Sequence, residues 1–310
     1  MNQIRSSALS ILLTAFVAAC GGGERTSTTT GTAAETGGGA RPISVKGSDT
    51  MVILGQRFAE EYMKQNPGTV IQVNGGGSGT GIAALINGTV DLAQASRAMS
   101  DSEKANVVKQ RSAEVVETPV ALDSLAVFVH SSNPVSQLSI EQVSRIYKGE
   151  VTNWSEVGGP NAPIVLYGRE SSSGTYDYFR EHVMKDEDFS PRTQTLAGTA
   201  AIINAVSKDP NGIGYGGIAY SQNARALALS DGGAAVAPSE ATVADGTYPL
   251  TRDLYFYTLS NAREDIVKFV TWAVSPEGQA VVENVGYFPL ADAPPGAAGS
   301  PAGQTDASAP

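Results

Sequence analysis

Hydrophobic and polar positions between residues 41 and 290 follow two alternating periods. Apolar residues recur at helical spacing over residues 50–64, whereas residues 43–46, 70–73 and 92–95 are short strand-like runs. The same patterns predict a second helix that follows the glycine-rich residues 75–79 and runs through residue 85, further helices from 101 and from 176, and strands over 115–120 and 125–130. This alternation predicts an α/β protein built from parallel β-α-β units, with helices on both faces of the sheet.

The two ends of the chain lack this pattern. Residues 1–19 have a positive Arg5, an apolar run and a small-residue region, which is typical of a signal peptide. Cys20 follows Ala18 and Ala19 directly and resembles the lipidated cysteine of bacterial lipoproteins; the alternative is a plain secretory signal with a chance cysteine. Residues 20–40 and 291–310 are rich in small and polar residues, so we predict a flexible tether and a disordered tail.

Charge and composition argue against several classes of function, namely nucleic-acid binding, metal binding and catalysis. The formal net charge is −10 and no basic cluster is present, which argues against nucleic-acid binding. The chain has one cysteine and two histidines, without metal-ligand spacing. The glycine-rich stretch 75–81 lacks the lysine of a phosphate-loop nucleotide site and the spacing of a hydrolase nucleophile elbow. We therefore expect no cofactor, no metal and no catalysis.

Four loops share one design, in which a strand ends, small polar residues follow and a helix begins. They are residues 47–50, 77–80, 95–97 and 171–175. In open parallel sheets, ligands bind beyond the carboxyl ends of the strands. The recurrence predicts a shared ligand site, with four independent helix caps as the alternative.

The richest of these loops is the run Arg-Glu-Ser-Ser-Ser-Gly-Thr at residues 169–175. It places a guanidinium, three hydroxyls and a glycine before a predicted helix, whose first N–H groups have no partner within the helix. Such donors suit a small tetrahedral oxyanion. Ser173 or Thr175 acting only as a helix cap is the alternative.

The chain resembles the phosphate-binding proteins of bacterial phosphate ABC transporters, in segments that follow one another in order. The matching segments are residues 47–51, 75–85 (GGGSGTGIAAL), 91–100 (DLAQASRAMS), 121–123, 138–154, 166–178 (LYGRESSSGTYDY) and 212–220. Related binders of tungstate or molybdate share this fold, so the resemblance is firmer for the family than for the ligand.

The resemblance implies a type II periplasmic-binding-protein fold with two α/β lobes and a ligand cleft between them. Each lobe would contain a mixed, mainly parallel sheet flanked by helices. Lobe 1 is expected to comprise residues 41–120 plus 252–290, and lobe 2 residues 121–251.

Site residues follow from the resemblance position by position. From lobe 1 we expect the hydroxyl or amide donors Ser48, Thr50, Ser78 and Ser96. From lobe 2 we expect Arg169, Ser173, Gly174 and Thr175.

Arg97 is a departure from part of the family, in which an aspartate follows the serine of the third loop. Arg97 would attract the anion, and Asp123 becomes the candidate for the missing carboxylate. An ionised aspartate can accept a hydrogen bond from the proton that phosphate keeps, whereas fully ionised sulfate has no proton to donate. The alternative is that Asp123 is a structural acid.

Together these features predict a monomeric, lipid-anchored receptor outside the cytoplasmic membrane. It would bind inorganic phosphate and deliver it to the permease of an ABC transporter. The alternatives are a binding protein for tungstate, molybdate or sulfate, and a lipid-anchored phosphatase that uses Ser78 or Ser173.

Overall fold

A computed structural model describes residues 41–290 of the chain. The predicted signal peptide, the tether with Cys20 and the tail from residue 291 lie outside the described residues. Among the helices that are described, none combines the length and apolar character needed to cross a membrane.

Helices and strands alternate along the described residues. The helices are α1 (Val52–Gln65), α2 (Ser78–Asn87), α3 (Asp101–Arg111), α4 (Ile140–Lys148), α5 (Gly174–His182), α6 (Thr199–Val206), α7 (Glu240–Ala244), α8 (Glu264–Ala273) and α9 (Pro276–Val285). The strands are β1 (Ile43–Gly47), β2 (Ile71–Asn74), β3 (Leu92–Ala95), β4 (Val115–Val129), β5 (Gln137–Ser139), β6 (Val165–Arg169), β7 (Gln194–Leu196), β8 (Gly212–Gly217), β9 (Arg225–Ala226), β10 (Ala228–Ser230) and β11 (Thr251–Leu259). A short 3₁₀ turn, Asp49–Met51, leads into α1.

The main sheet has the strand order β2-β1-β3-β11-β4-β8-β6-β7, with β9 paired beside β4. Its outer strands pair in parallel, β1 with β2 and β3 at one end and β6 with β7 and β8 at the other. The two central strands, β4 and β11, run antiparallel to each other. The sheet is therefore mixed, with parallel β-α-β units on either side of an antiparallel pair.

Strand β4 is longer than the sequence indicates. Residues 115–120 and 125–130 are predicted as separate runs, but one strand extends from Val115 to Val129. Its first part pairs with β11 up to Ser124, and its last part pairs with β8 from Leu125. The register shifts between Leu254 and Tyr255 of β11, so that Val120 has no counterpart next to Pro119. Such a bulge lets a strand continue through a proline, which has no N–H to donate.

The buried apolar side chains form two groups along the chain. One group draws on residues 43–121 and 254–287, and we call this part the first lobe. The other draws on residues 125–250, and we call it the second lobe. Strand β4 contributes buried side chains to both groups, and β11 begins directly after Leu250, the last residue of the second group. The exact lobe boundaries, residues 41–120 plus 252–290 and residues 121–251, stay a prediction.

Candidate anion-binding site

Three serines of the first lobe form a buried hydroxyl cluster at the ends of its strands. Ser48 follows β1, Ser96 follows β3 and Ser78 begins α2. Ser48 Oγ donates to Ser96 Oγ at 2.9 Å, and Ser78 Oγ accepts the Ser96 backbone N–H at 3.1 Å. All three are at most 2% exposed. The parallel pairing of β1 with β3 accounts for the cluster, since it places both strand ends at the same edge.

The start of α5 brings the second lobe against this cluster. Ser173 is the N-cap residue, and its hydroxyl accepts the backbone N–H groups of Thr175 and Tyr176. Gly174 follows, and a Cβ atom built there would lie 2.4 Å from Ser78 Oγ and 3.0 Å from Ser96 Oγ. A glycine is therefore required for the two lobes to approach this closely. The helix cap and the site are the same feature of the molecule, so Ser173 serves as a cap within the candidate site.

A row of threonine hydroxyls continues across the cleft. Thr50 Oγ1 lies 2.8 Å from Thr175 Oγ1 and 3.4 Å from Thr199 Oγ1. Thr50 belongs to the 3₁₀ turn before α1, Thr175 to the first turn of α5, and Thr199 is the first residue of α6. All three are fully buried. Helix starts carry partial positive charge, so the hydroxyls lie where an anion is stabilised.

Arg169 supplies a buried positive charge at the end of β6. Its Nη1 donates to Thr199 Oγ1 at 2.9 Å, and its Nη2 donates to Asp49 at 3.0 Å and to Glu170 at 2.9 Å. The residue is 3% exposed. Its charge is held in place by carboxylates from both lobes.

A second guanidinium, that of Arg252, pairs with Asp123. Arg252 Nε and Nη2 both donate to Asp123 Oδ2, at 3.0 and 2.8 Å. Arg252 also donates to Thr175 Oγ1 at 3.1 Å and to the Ser96 carbonyl at 3.2 Å. The pair thus lies against the hydroxyl cluster, and Asp123 is fully buried. Burial raises the pKa of the Asp123 carboxyl, although the Arg252 guanidinium opposes that shift.

Arg97 has a different position from the other predicted residues. Its guanidinium donates to Glu103 through both Nη atoms, at 2.9 and 2.8 Å, and through Nε to Asp177 at 2.8 Å. Among the described contacts, none joins this guanidinium to the serines or threonines of the cluster. Asp177 lies on α5, so the pair Arg97–Asp177 connects the lobes beside the cluster.

The structure therefore brings together nearly all of the residues that the sequence singles out. Ser48, Thr50, Ser78, Ser96, Asp123, Arg169, Ser173, Gly174 and Thr175 lie in one continuous set of contacts. The set also includes Asp49, Thr199 and Arg252, which the sequence reading did not identify. Thr199 follows Gly198 in the manner of the other loops, and this local signal could have revealed it.

The two histidines of the chain lie apart from the hydroxyl cluster. His130 Nδ1 lies 2.7 Å from Ser132 Oγ, and His182 Nδ1 lies 3.0 Å from the Tyr178 carbonyl. In the described part of the chain, neither imidazole is placed to activate a serine of the cluster. Over the same residues, no group of three or more His, Cys, Asp or Glu side chains could hold a metal ion.

Two α/β lobes whose helix starts and guanidinium groups converge on a buried cluster define a substrate-binding protein of the periplasmic type. A family model for the PBP superfamily domain matches residues 25–277. The phosphate-binding protein PstS of Pseudomonas aeruginosa is 37% identical over 267 residues, which cover 80% of this chain and 83% of that protein. The chain belongs to the PstS family of phosphate-binding proteins.

Other similarities agree with this placement. The PstS phosphate-binding protein of Staphylococcus haemolyticus is 31% identical over 283 residues, covering 88% of this chain and 87% of the relative. A Clostridium perfringens phosphate ABC transporter substrate-binding protein, solved with bound phosphate, superposes with a TM-score of 0.74 at 30% identity, covering 81% of this chain and 100% of the other. An ABC-type phosphate transport receptor from Vibrio cholerae gives a TM-score of 0.64 at 29% identity, covering 79% and 99%. The solved neighbours confirm the two-lobed fold.

Proposed function

We propose that this protein binds inorganic phosphate outside the cytoplasmic membrane and delivers it to the permease of an ABC transporter. One observation carries the proposal: helix starts from both lobes meet at one buried set of hydroxyls, with Arg169 and Arg252 beside it. Phosphate offers four oxygens, and these donors surround the site from several directions. The bound phosphate of the C. perfringens relative supports the same ligand class here.

Asp123 accounts for a preference for phosphate over sulfate. Two N–H groups of Arg252 donate to Oδ2 of this carboxylate, whereas Oδ1, among the described residues, accepts only the Ile218 backbone N–H, at 3.3 Å. Oδ1 is therefore able to accept a stronger hydrogen bond. Phosphate keeps at least one proton near neutral pH and can donate it, but sulfate would place a lone pair against the buried charge. An unpaired buried contact of this kind costs several kcal/mol, or about three decades in affinity.

Closure of the lobes links binding to delivery. The contacts Thr50–Thr175 and Arg97–Asp177 join the lobes, so they form only when the lobes meet. A closed, phosphate-filled shape is then the form that a permease would recognise. In this proposal, lobe 1 comprises residues 41–120 and 252–290, lobe 2 comprises residues 121–251, and the chain acts as a monomer.

The membrane attachment belongs to the same proposal. Cys20 would carry the lipid after removal of residues 1–19, and residues 20–40 would tether the lobes at the membrane. Cys20→Ser should then release the protein from the membrane fraction without changing its affinity for phosphate.

Isothermal titration calorimetry with phosphate, sulfate, molybdate and tungstate tests the ligand. We expect phosphate to bind most tightly, by about three decades over sulfate. Asp123→Asn should relax this discrimination, because it removes the acceptor for the phosphate proton. Arg169→Ala should weaken the binding of all four anions, because it removes a positive charge that attracts each of them. Equal affinities for phosphate and sulfate in the parent protein would refute the role of Asp123. The reverse pattern in the two variants would mean that their roles are exchanged.

A further inference from the structure

Asp49 contacts both lobes at the edge of the anion site. Its Oδ1 accepts the Gly76 backbone N–H of the glycine-rich loop at 2.8 Å, within the first lobe. Its Oδ2 accepts Arg169 Nη2 of the second lobe at 3.0 Å. Its backbone carbonyl accepts the Tyr220 hydroxyl, also of the second lobe, at 2.8 Å. One residue therefore takes part in two hydrogen bonds that cross the cleft.

Arg169 has a second carboxylate partner, Glu170, which differs from Asp49 in its relation to the cleft. Glu170 accepts Nη2 at 2.9 Å and Nε at 3.3 Å, but it is the next residue in the chain. The pair Arg169–Glu170 can persist whether the cleft is open or closed, since both groups belong to one lobe. The pair Arg169–Asp49 can form only when the lobes meet. Asp49 thus adds a contact that depends on closure, and Glu170 does not.

Burial and a fixed carboxylate strengthen the ion pair between Arg169 and Asp49. The Arg169 side chain is 1% exposed and that of Asp49 is 19% exposed, so solvent screens the pair only in part. The Gly76 N–H fixes the carboxylate from behind, and a Cβ atom on Gly75 would lie 2.3 Å from Asp49 Oδ1. The glycine-rich loop therefore packs directly onto this carboxylate. Charge-assisted hydrogen bonds held in this way are about twice as strong as neutral ones.

We propose that Asp49 is a positioning residue that clasps Arg169 across the closed cleft and so slows the release of phosphate. The inference rests on the proposed phosphate-binding function and deepens it. Asp49 acts through Arg169: it holds the guanidinium in the orientation that also contacts Thr199, and it stabilises the closed state. The mechanism predicts an effect on dissociation more than on association, because the clasp forms after the lobes close.

The opposite effect is physically reasonable, which makes the experiment decisive. A carboxylate near a bound anion repels it, so removal of the Asp49 charge would tighten binding if repulsion outweighed the clasp. Asp49→Asn separates the two effects. The amide keeps an oxygen acceptor for the Gly76 N–H and nearly the same volume, but its other terminal group is an NH2 donor, which cannot accept a hydrogen bond from Arg169.

The test measures phosphate release by stopped-flow kinetics in the parent chain, in Asp49→Asn and in the matched control Glu170→Gln. We expect Asp49→Asn to release phosphate about tenfold faster, with association nearly unchanged. Glu170→Gln removes a carboxylate from the same arginine within one lobe, so it should speed release less than Asp49→Asn does, because the Arg169–Glu170 pair does not depend on closure. Both variants should keep the parent's melting temperature without phosphate, which excludes a general loss of structure.

Two further variants make the outcome specific to the clasp. Tyr220→Phe removes the other bond to Asp49 across the cleft and should also speed release. In an Arg169→Gln background, Asp49→Asn should have no further effect. Slower release from Asp49→Asn, or equal effects of Asp49→Asn and Glu170→Gln, would overturn the clasp alone. A parent protein that binds no phosphate would overturn the proposed function and this inference with it.

Discussion

At the scale of single residues, the buried ion pair between Asp123 and Arg252 connects the central strands of the sheet with the candidate site. Asp123 and Arg252 are cross-strand partners in the pairing of β4 with β11, and both are almost completely buried. Burial of either charge alone would cost a large desolvation free energy, and the attraction between the two opposite charges offsets part of that cost. Because Arg252 also contacts Thr175 and Ser96, the pair lies in the candidate anion site as well as in the sheet.

The raised pKa of Asp123 leads to a prediction about pH. If Asp123 is the proposed proton acceptor, its carboxylate is ionised above that pKa and repels sulfate; below that pKa the carboxyl carries a proton and can donate to a sulfate oxygen. The preference for phosphate should therefore be complete at higher pH and fall as the pH drops through the raised pKa. The loss should begin at a higher pH than for an exposed aspartate, whose pKa is about 3.9.

Competition titrations of phosphate against sulfate over a pH series check this expectation. Asp123→Asn is the control, since its discrimination should be low and nearly independent of pH. A parent protein whose preference stays constant through the acid range, or rises as the pH falls, would contradict the assignment of the proton acceptor to Asp123.

At the scale of elements, the site is made of helix starts, and this explains which parts of it the sequence could reveal. A cap residue and the hydroxyls of a first turn are neighbours in sequence, so the loops at residues 47–50, 77–80 and 171–175 could be recognised locally. The loop at residues 95–97 differs from its prediction, because α3 begins only at Asp101 with Ser100 as its cap. Ser96 nevertheless joins the cluster through the end of β3.

The contribution of Arg252 could not be read from its own segment. It lies within a strand, without a glycine, a cap or a small-residue run around it. Its position next to Asp123 depends on the antiparallel register of β11 with β4, and that register shifts at the bulge beside Pro119. A shift of one residue would turn Arg252 to the other face of the sheet. Contacts of this kind follow from tertiary pairing, which a single sequence does not specify locally.

The start of α5 gives a prediction about packing between elements. Gly174→Ala would place a methyl group 2.4 Å from Ser78 Oγ, closer than two such atoms can approach. The clash is between the lobes, so we expect a loss of phosphate affinity of at least about tenfold, with little change in the stability of the open protein. Small-to-large changes at tight contacts usually cost about 1–3 kcal/mol, which corresponds to this range.

Calorimetry and thermal unfolding without ligand measure these two effects separately. Gly233→Ala is a suitable control, since a Cβ atom there meets nothing within 4 Å. Unchanged phosphate affinity in Gly174→Ala would mean that the start of α5 does not approach Ser78 closely in the phosphate-bound protein.

At the scale of the whole molecule, binding and folding are linked through the division into lobes. Each lobe has its own buried apolar clusters, and strand β4 contributes side chains to the clusters of both lobes. The candidate anion site draws on both lobes and lies within neither core. An unfolded chain cannot assemble this site, since its residues are spread from Ser48 to Arg252. Any ligand of the site must therefore stabilise the folded, closed protein.

The size of this stabilisation follows from mass action. Phosphate at a free concentration of 100 times its Kd should raise the free energy of unfolding by about 2.7 kcal/mol, and sulfate at the same concentration should raise it far less. Chemical denaturation monitored by tryptophan fluorescence, with and without each anion, measures the difference. In Arg169→Ala the increment at the same phosphate concentration should largely disappear, because the affinity is lost while the apolar clusters of both lobes are retained. If phosphate and sulfate stabilised the parent equally, the effect would come from general ionic strength or from a site without a proton acceptor, and the proposed selectivity would be wrong.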